Sequence, residues 1–374
     1  MFENFVAPKE LIPSDPRFGC GPSLIPLNHL QTLIDRGPNL LGTSHRKSPI
    51  KNLVKEAQEG LKKYFNAPAD YLVVMGNGGA TFLFDALALG LVNKKIAHFT
   101  CGEFSEKWFK ASKAVPWIQA QQFHAEYGLG INATDVADAD VIATTLNETS
   151  TGVQISELPK VHDGALLMVD ATSGAGQVPC DVSKVDVFYF SPQKVFASEG
   201  GLWIAIMSPK AVERALAIAG DKTRYVPGIM NWKQAIENAR LNQTYNTPAI
   251  VSIWLLKEQV NKMLADGGYD FAQKEARKKA DLLYKWADEK PYLSCYIKEA
   301  KFRSTAVCTI DVDAKYDVTP LLDKLTKQNI VHGIDAYRNL GRNQFRISIF
   351  HNVKYDDLAK LTKLLSAAIE AEIK

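Results

Sequence analysis

Two residues carry the strongest chemical signal. Asp170 closes the apolar run 165–170 (ALLMVD) and is followed by ATSGAG. Lys194 stands in SPQK, just after the apolar run 185–190 (VDVFYF), with EGG beyond it. Taken singly, an Asp after a strand is a turn or cap residue, and a loop Lys is a solvated charge. If the two runs are neighbouring parallel strands, the pair sits at their C-terminal ends. That edge of an α/β sheet is where ligands bind.

Pyridoxal phosphate (PLP) chemistry needs such a pair. A lysine amine forms a Schiff base with the cofactor aldehyde. A carboxylate keeps the pyridine nitrogen protonated, so the ring accepts electrons from the substrate carbanion. Lys194 would also shuttle the proton, and a depressed lysine pKa would help both tasks. GNGGAT (76–81), between YLVVM and FLFDALALGL, adds a place for an anion. Its glycines let backbone N–H groups converge, and a helix N-terminus adds a favourable field. It matches neither the P-loop pattern nor a clear dinucleotide fingerprint, and alone it reads equally well as a tight turn. GEF (102–104) offers Phe104 to stack on a flat ring, with Trp108 one turn later as competitor; a core aromatic is the ordinary reading of either. In NETSTG (147–152), Thr149 is placed to reach the cofactor's phenolic oxygen, where a capped turn is the bland alternative.

These residues need a scaffold. Short apolar runs at 71–75, 95–99, 141–146, 165–170, 185–190 and 202–207 alternate with helical patterns. Several are apolar at successive positions, as strands covered on both faces are. The alternation predicts an α/β fold with a largely parallel sheet clothed in helices. Ile50, Leu53, Val54, Ala57 and Leu61 share a helical face, with Ser48 as the expected N-cap and Pro49 at the first helical position. Beyond residue 256 a charged helical segment leads to a strand at 304–312, a helix near 318–328, a strand at 344–350 and a last helix. The expected organisation is an N-terminal arm (1–16), a large cofactor-binding domain (17–256) and a small C-terminal α+β domain (257–374).

A chain of 374 residues exceeds one small core. With 46% apolar and 23% charged residues it has an ordinary soluble composition. A net charge of only +3, with scattered Lys and Arg, argues against a nucleic-acid footprint but leaves room for a local anion site. The 5 cysteines are odd in number and contain no C-x-x-C, so neither a disulfide framework nor a zinc site is expected, and a cytoplasmic setting fits. The N-terminal sequence lacks a secretory pattern, and no apolar run reaches the roughly 20 residues of a membrane helix.

SHR (44–46), GNGGAT, GEF, NETSTG, VDATSGAG (169–176) and SPQK (191–194) fall in the order and spacing of class V aminotransferases. The chain resembles that family over almost its whole length, most firmly over 41–201. SHR, TYNTPAI (244–250) and the late Arg of QFRISIF together resemble its phosphoserine branch. The resemblance implies the aspartate-aminotransferase-like fold (fold type I) and a homodimer with active sites at the subunit interface. It implies Lys194 as the Schiff-base lysine and Asp170 as the pyridine partner. Gly78, Gly79, Gln193 and, from the other subunit, Asn246 and Thr247 would surround the cofactor phosphate. Thr149 and Phe104 would flank the ring, and His45, Arg46 and Arg346 would grip the substrate's anionic groups. The implied reaction exchanges an amino group between L-glutamate and 3-phosphohydroxypyruvate, giving 2-oxoglutarate and O-phosphoserine, in serine or pyridoxine biosynthesis. The chain departs from the family pattern at Gly79 (often Arg), at Cys20 (often Ser), in RKSP (46–49) and in YRNLGRNQFR (337–346), which lacks a His-Arg pair. These departures concern the secondary phosphate contacts.

The rival within the family is a serine–pyruvate or alanine–glyoxylate type aminotransferase. A nucleotide-binding dehydrogenase using GNGGAT as its phosphate turn would leave Asp170 and Lys194 without a task.

Overall fold

Strands that are apolar on both faces are stable only when both faces are covered. The structure, a computed structural model describing residues 1–373, covers them. The strands are β1 (Leu72–Asn77), β2 (Lys95–Thr100), β3 (Gln119–His124), β4 (Val141–Thr145), β5 (Asn147–Glu148), β6 (Val153–Gln154), β7 (Leu166–Asp170), β8 (Val187–Phe190), β9 (Leu202–Met207), β10 (Leu293–Cys295), β11 (Val307–Val312) and β12 (Gln344–Ser348). The helices are α1 (Leu27–Arg36), α2 (Ser48–Tyr64), α3 (Ala80–Leu91), α4 (Glu103–Lys113), α5 (Pro209–Gly220), α6 (Trp232–Ala239), α7 (Ile250–Ala265), α8 (Gly268–Glu289), α9 (Thr319–Lys327) and α10 (Tyr355–Ile373).

A 7-stranded sheet runs β1-β9-β8-β7-β4-β2-β3. Neighbours from β3 to β8 pair in parallel, while β9 is antiparallel to both β8 and β1. Strict alternation sorts its side chains. Val73, Met75, Leu167, Val169, Phe188 and Phe190 face a core shared with α2 and α7. Val74, Leu166, Met168, Val187 and Tyr189 face the opposite core, built with α3, α4, α5 and α6. The hairpin β5–β6 stands apart from this sheet.

A second core forms around the 3-stranded antiparallel sheet β10-β11-β12, packed by α8, α9 and α10. The N-terminal arm joins it: Phe2 is 1% exposed, its amide donates to Glu372 Oε1 (2.7 Å), and Ser14 binds Asp357 through both its amide and its hydroxyl. Residue 256 falls inside the continuous helix α7, which packs on α2. The two cores meet along α8, where Ala272 belongs to the first and Ala280 and Leu283 to the second.

Three local features differ from the sequence expectation or lack a signature in it. The N-cap of α2 is Lys47, extended and without a side-chain cap bond, so Ser48 takes the first helical position and Pro49 the second, one place later than expected. β3 (QAQQFH) is an edge strand with no fully buried residue, hence without an apolar run. Helix α1 buries only His29, while Leu27, Leu30 and Ile34 are exposed.

Candidate active site

Asp170 ends β7, Lys194 follows β8, and those strands are parallel neighbours with Asp170 in register with Tyr189. The two groups therefore stand at adjacent C-terminal strand ends. Asp170 is 3% exposed and has no ion pair among the described residues; Thr172 donates to its Oδ1 from the amide (2.9 Å) and the hydroxyl (2.5 Å). Burial pushes the Asp170 carboxyl up to about 6, the Thr172 bonds oppose the rise, and the like charge of Glu148 adds to it. Lys194 Nζ donates to Cys20 O at 2.5 Å. Burial pulls this amine down to about 8; Cys20 and Asp170 oppose the fall, and Arg346 reinforces it. Gly21 makes the arrangement possible. A Cβ there would lie 2.2 Å from Lys194 Nζ, and its φ of +122° disfavours side chains in any case.

The candidate anion cradle lies beside this pair. Gly78 and Gly79 link β1 to α3 with φ of +141° and +116°. Ser191, from the SPQK turn, accepts from Ala80 N (2.6 Å) and donates to Leu202 O (3.0 Å), which fixes the cradle to the lysine segment. Gln193 Oε1 and Thr145 Oγ1 are buried and, among the described residues, have no hydrogen-bond partner, whereas Tyr189 OH lies against the Asp170 carboxylate and helps hold its pKa down. Such orphaned polar atoms are rare in interiors and ask for a ligand or water.

Thr149, Phe104 and Arg346 close the other side. Thr149 Oγ1 donates to Ser173 Oγ (2.8 Å), and its carbonyl accepts from Arg346 Nη1 (3.2 Å). The Arg346 guanidinium, on β12 of the small sheet, sits 5.4 Å from the Tyr337 ring centroid, and Tyr337 lies 5.9 Å edge-on to Phe104. Trp108 is 1% exposed and packs in the core against Tyr189 and Phe84. Phe104, half-buried at the start of α4, is thus the aromatic left at the site.

His45 and Arg46 form a second group. Arg46 Nη1 donates to Gln243 Oε1 (2.8 Å), and His45 Nδ1 lies 3.3 Å from Thr247 Oγ1. Burial, then the Arg46 charge, lowers the His45 pKa. The segment 244–249 is anchored beside the cradle by Asn77, which donates to Thr247 O (2.7 Å) and accepts from Ala249 N (2.9 Å). The side chains of Asn246 and Thr247 are exposed. Among the described residues no hydrogen bond joins His45, Arg46 or Asn246 to Lys194, Asp170 or Arg346.

Sequence reasoning did not find Cys20–Gly21, Asn77, Ser191, Glu148 or Tyr337. Asn77 and Ser191 lie within the motifs GNGGAT and SPQK but were not assigned a role there, and Gly19 to Pro22 is rich in turn-forming residues. That this turn lands on Lys194 is a contact across the whole domain, with no local signature.

An amine of lowered proton affinity, an unpaired buried carboxylate, a glycine cradle with an orphaned amide oxygen and a rim aromatic suit a phosphorylated, flat, ring-nitrogen cofactor. No group of His, Cys, Asp and Glu among the described residues could hold a metal ion. Residues 36–333 match the family model of aminotransferase class-V, and the chain belongs to that family. Among its relatives there are phosphoserine aminotransferases. That of Corynebacterium glutamicum (strain R) is 42% identical over 95% of this chain and 94% of its own length. The crystal structure of one from Cytophaga hutchinsonii has a TM-score of 0.86 at 26% identity, covering 94% of this chain and 98% of that one. A PLP-bound one from Trichomonas vaginalis shares the fold, with a TM-score of 0.78 at 20% identity over 93% and 99% of the two chains. The large mixed, mostly parallel sheet with its smaller α+β partner is the fold type I architecture.

Proposed function

We propose that this chain is a PLP-dependent transaminase that moves an amino group between L-glutamate and 3-phosphohydroxypyruvate, giving O-phospho-L-serine and 2-oxoglutarate for serine biosynthesis. The observation that carries this reading is the pairing of Lys194 with the unpaired, buried Asp170 at adjacent parallel strand ends, in a chain 42% identical to a phosphoserine aminotransferase.

When bound, PLP supplies an aldehyde that condenses with amines and a ring that takes up negative charge from the substrate's α-carbon. The chain's residues do the rest. Lys194, drawn down to about 8, has a neutral fraction near neutral pH, so Nζ can attack a carbonyl and later carry a proton to and from the substrate. Asp170 would hold the ring nitrogen's proton, and that cation would return the carboxyl to its ionised form. Gly78, Gly79 and Gln193 would hold the phosphate with the first turn of α3. Thr149 and Phe104 would flank the ring. Arg346 would bind the α-carboxylate that both substrates share, since a guanidinium fork matches a carboxylate. The small sheet β10-β11-β12 with α9 and α10, and the arm (1–16) packed on them, would bring this arginine to a site otherwise built by the large domain.

His45 and Arg46 are left for the far end, where glutamate has a carboxylate and the phospho-substrate a phosphate. Their bonding to Gln243 and Thr247 rather than to Lys194, and the exposure of Asn246 and Thr247, support a homodimer in which these four residues complete a second copy's site. The free cysteines support a reducing, cytoplasmic setting, and no described helix is long and apolar enough to cross a membrane.

Turnover with glutamate plus 3-phosphohydroxypyruvate, set against alanine plus glyoxylate, tests the reading. Preference for the first pair supports it; preference for alanine makes the small-amino-acid rival the better account. Mixing Lys194→Ala with Asn246→Ala subunits should restore activity if sites are shared, because one site of each hybrid then carries neither change. Verified hybrids without activity would place the whole site in one chain.

A further inference from the structure

The β5–β6 hairpin holds a carboxylate that the proposed chemistry leaves unused. Glu148 is 0% exposed. Its Oε1 accepts from Phe104 N (3.2 Å), Ser150 N (3.3 Å) and Ser150 Oγ (2.7 Å). Its Oε2 accepts from Ser105 N (2.9 Å) and Ser105 Oγ (2.9 Å). No cationic side chain pairs with it among the described residues. A buried carboxylate is costly unless its hydrogen-bonding capacity is met, and here the first turn of α4 and the hairpin meet it together. The N-cap of α4 is Gly102, which has no side chain to offer the helix amides. Glycine is required there, because a Cβ would lie 2.4 Å from Glu148 Cγ. Ser150 adds a second tie, accepting from Glu103 N at 3.0 Å.

The residues so joined are informative. One amide on Glu148 is that of Phe104, and the next residue along the hairpin is Thr149. We propose that Glu148 is a positioning residue: its carboxylate locks the first turn of α4 to the hairpin and thereby fixes Phe104 and Thr149, the two flanks of the cofactor ring, relative to one another. The inference rests on the ring position given under the proposed function. An ordinary N-cap comes from its own helix and steadies only that helix. This one comes from the element bearing the opposite flank, so its loss moves both.

The Glu148→Gln and Glu148→Ala proteins test this beside Ser208→Ala. Ser208 caps α5, remote from the site, by accepting from Ala211 N at 3.1 Å. In Glu148→Gln the new NH2 faces donors, so part of the tie is lost without loss of size. Cofactor-free protein is titrated with PLP, the induced circular dichroism of the bound cofactor is recorded, and amide exchange is followed at 102–106 and 147–151. Both Glu148 variants should weaken PLP binding about tenfold or more, alter the induced dichroism and loosen both segments together. Ser208→Ala should lower only the melting temperature. Glu148→Gln with a lowered melting temperature but wild-type affinity and dichroism overturns the proposal, as does loosening of 102–106 alone. A wild-type protein that takes no PLP overturns the proposed function instead, and the exchange data from cofactor-free protein still decide whether Glu148 couples the two segments.

Discussion

Lys194 and Lys279 are both pulled down to about 8 by burial, and both amines rest on backbone carbonyls. Lys194 donates to Cys20 O (2.5 Å), Lys279 to Phe350 O (3.3 Å) and His351 O (3.1 Å). What surrounds them differs. Lys194 lies at the ends of parallel strands, opposite Asp170 and Arg346, beside the orphaned Gln193 Oε1. Lys279 is 5% exposed on α8 and ties off a seam between the two cores, where His351 Nε2 meets Asp266 at 2.8 Å. A depressed lysine pKa is therefore not by itself a functional signature. The distinguishing feature is a convergence of groups whose needs the protein does not meet internally.

The largest expected effect separates the two lysines directly. Lys194→Ala should lower transamination by about 10⁴-fold or more, while Lys279→Met should stay within a factor of a few in steady-state turnover. A comparable loss in both would erase the distinction.

Asp170→Asn comes next. Turnover should fall by about 10²-fold or more, because an amide cannot hold the ring nitrogen's proton. The cofactor-free protein should respond in the opposite sense. The folded carboxyl keeps its proton from the ordinary 3.8 up to about 6, where the unfolded one has lost it. Its stabilising contribution is therefore full below 3.8 and is lost as pH rises through 6. Asp170→Asn lacks this loss, so its advantage in chemical denaturation should grow across that window to about 3 kcal/mol at most. Equal stability of the two proteins at pH 4 and pH 7 would contradict the burial argument.

Arg46→Ala should reduce kcat/KM for phosphoserine and glutamate by about one to two orders of magnitude, with little effect on residual alanine turnover. Arg346→Ala should damage all three. Intact phosphoserine turnover in Arg46→Ala would remove the far-end role.

The smallest effect concerns Lys279. A lysine lowered from 10.5 to about 8 releases its proton in the folded state first. The unfolded chain binds more protons between those values, so this group makes stability rise with pH there. Lys279→Met should flatten that rise by a few degrees of melting temperature. An unchanged slope would show the amine to be solvated.

The sequence carried Asp170 and Lys194 well, because each borders a run that must be a buried strand and the motifs are local. The glycine turn of GNGGAT was legible for the same reason. Phe104 against Trp108 could not be decided from spacing, since both fall on the first turns of α4; the structure packs Trp108 against Tyr189 and Phe84, which leaves Phe104 as the candidate. Edge strand β3 was illegible because exposed Gln and His side chains leave no period-2 contrast. Glu148 and the Cys20–Gly21 turn were illegible for another reason. Their partners, Ser105 and Lys194, are distant in sequence, and nothing local requires them to meet.

The most direct measurement joins spectrum and site. Wild-type protein loaded with PLP is scanned, reduced with borohydride, digested and mapped by mass spectrometry. A visible cofactor band that disappears on reduction, with the phosphopyridoxyl mass on the peptide holding Lys194 and none on Lys279, is the predicted result. A colourless protein that cannot be loaded, or a label on any lysine other than Lys194, would contradict the account.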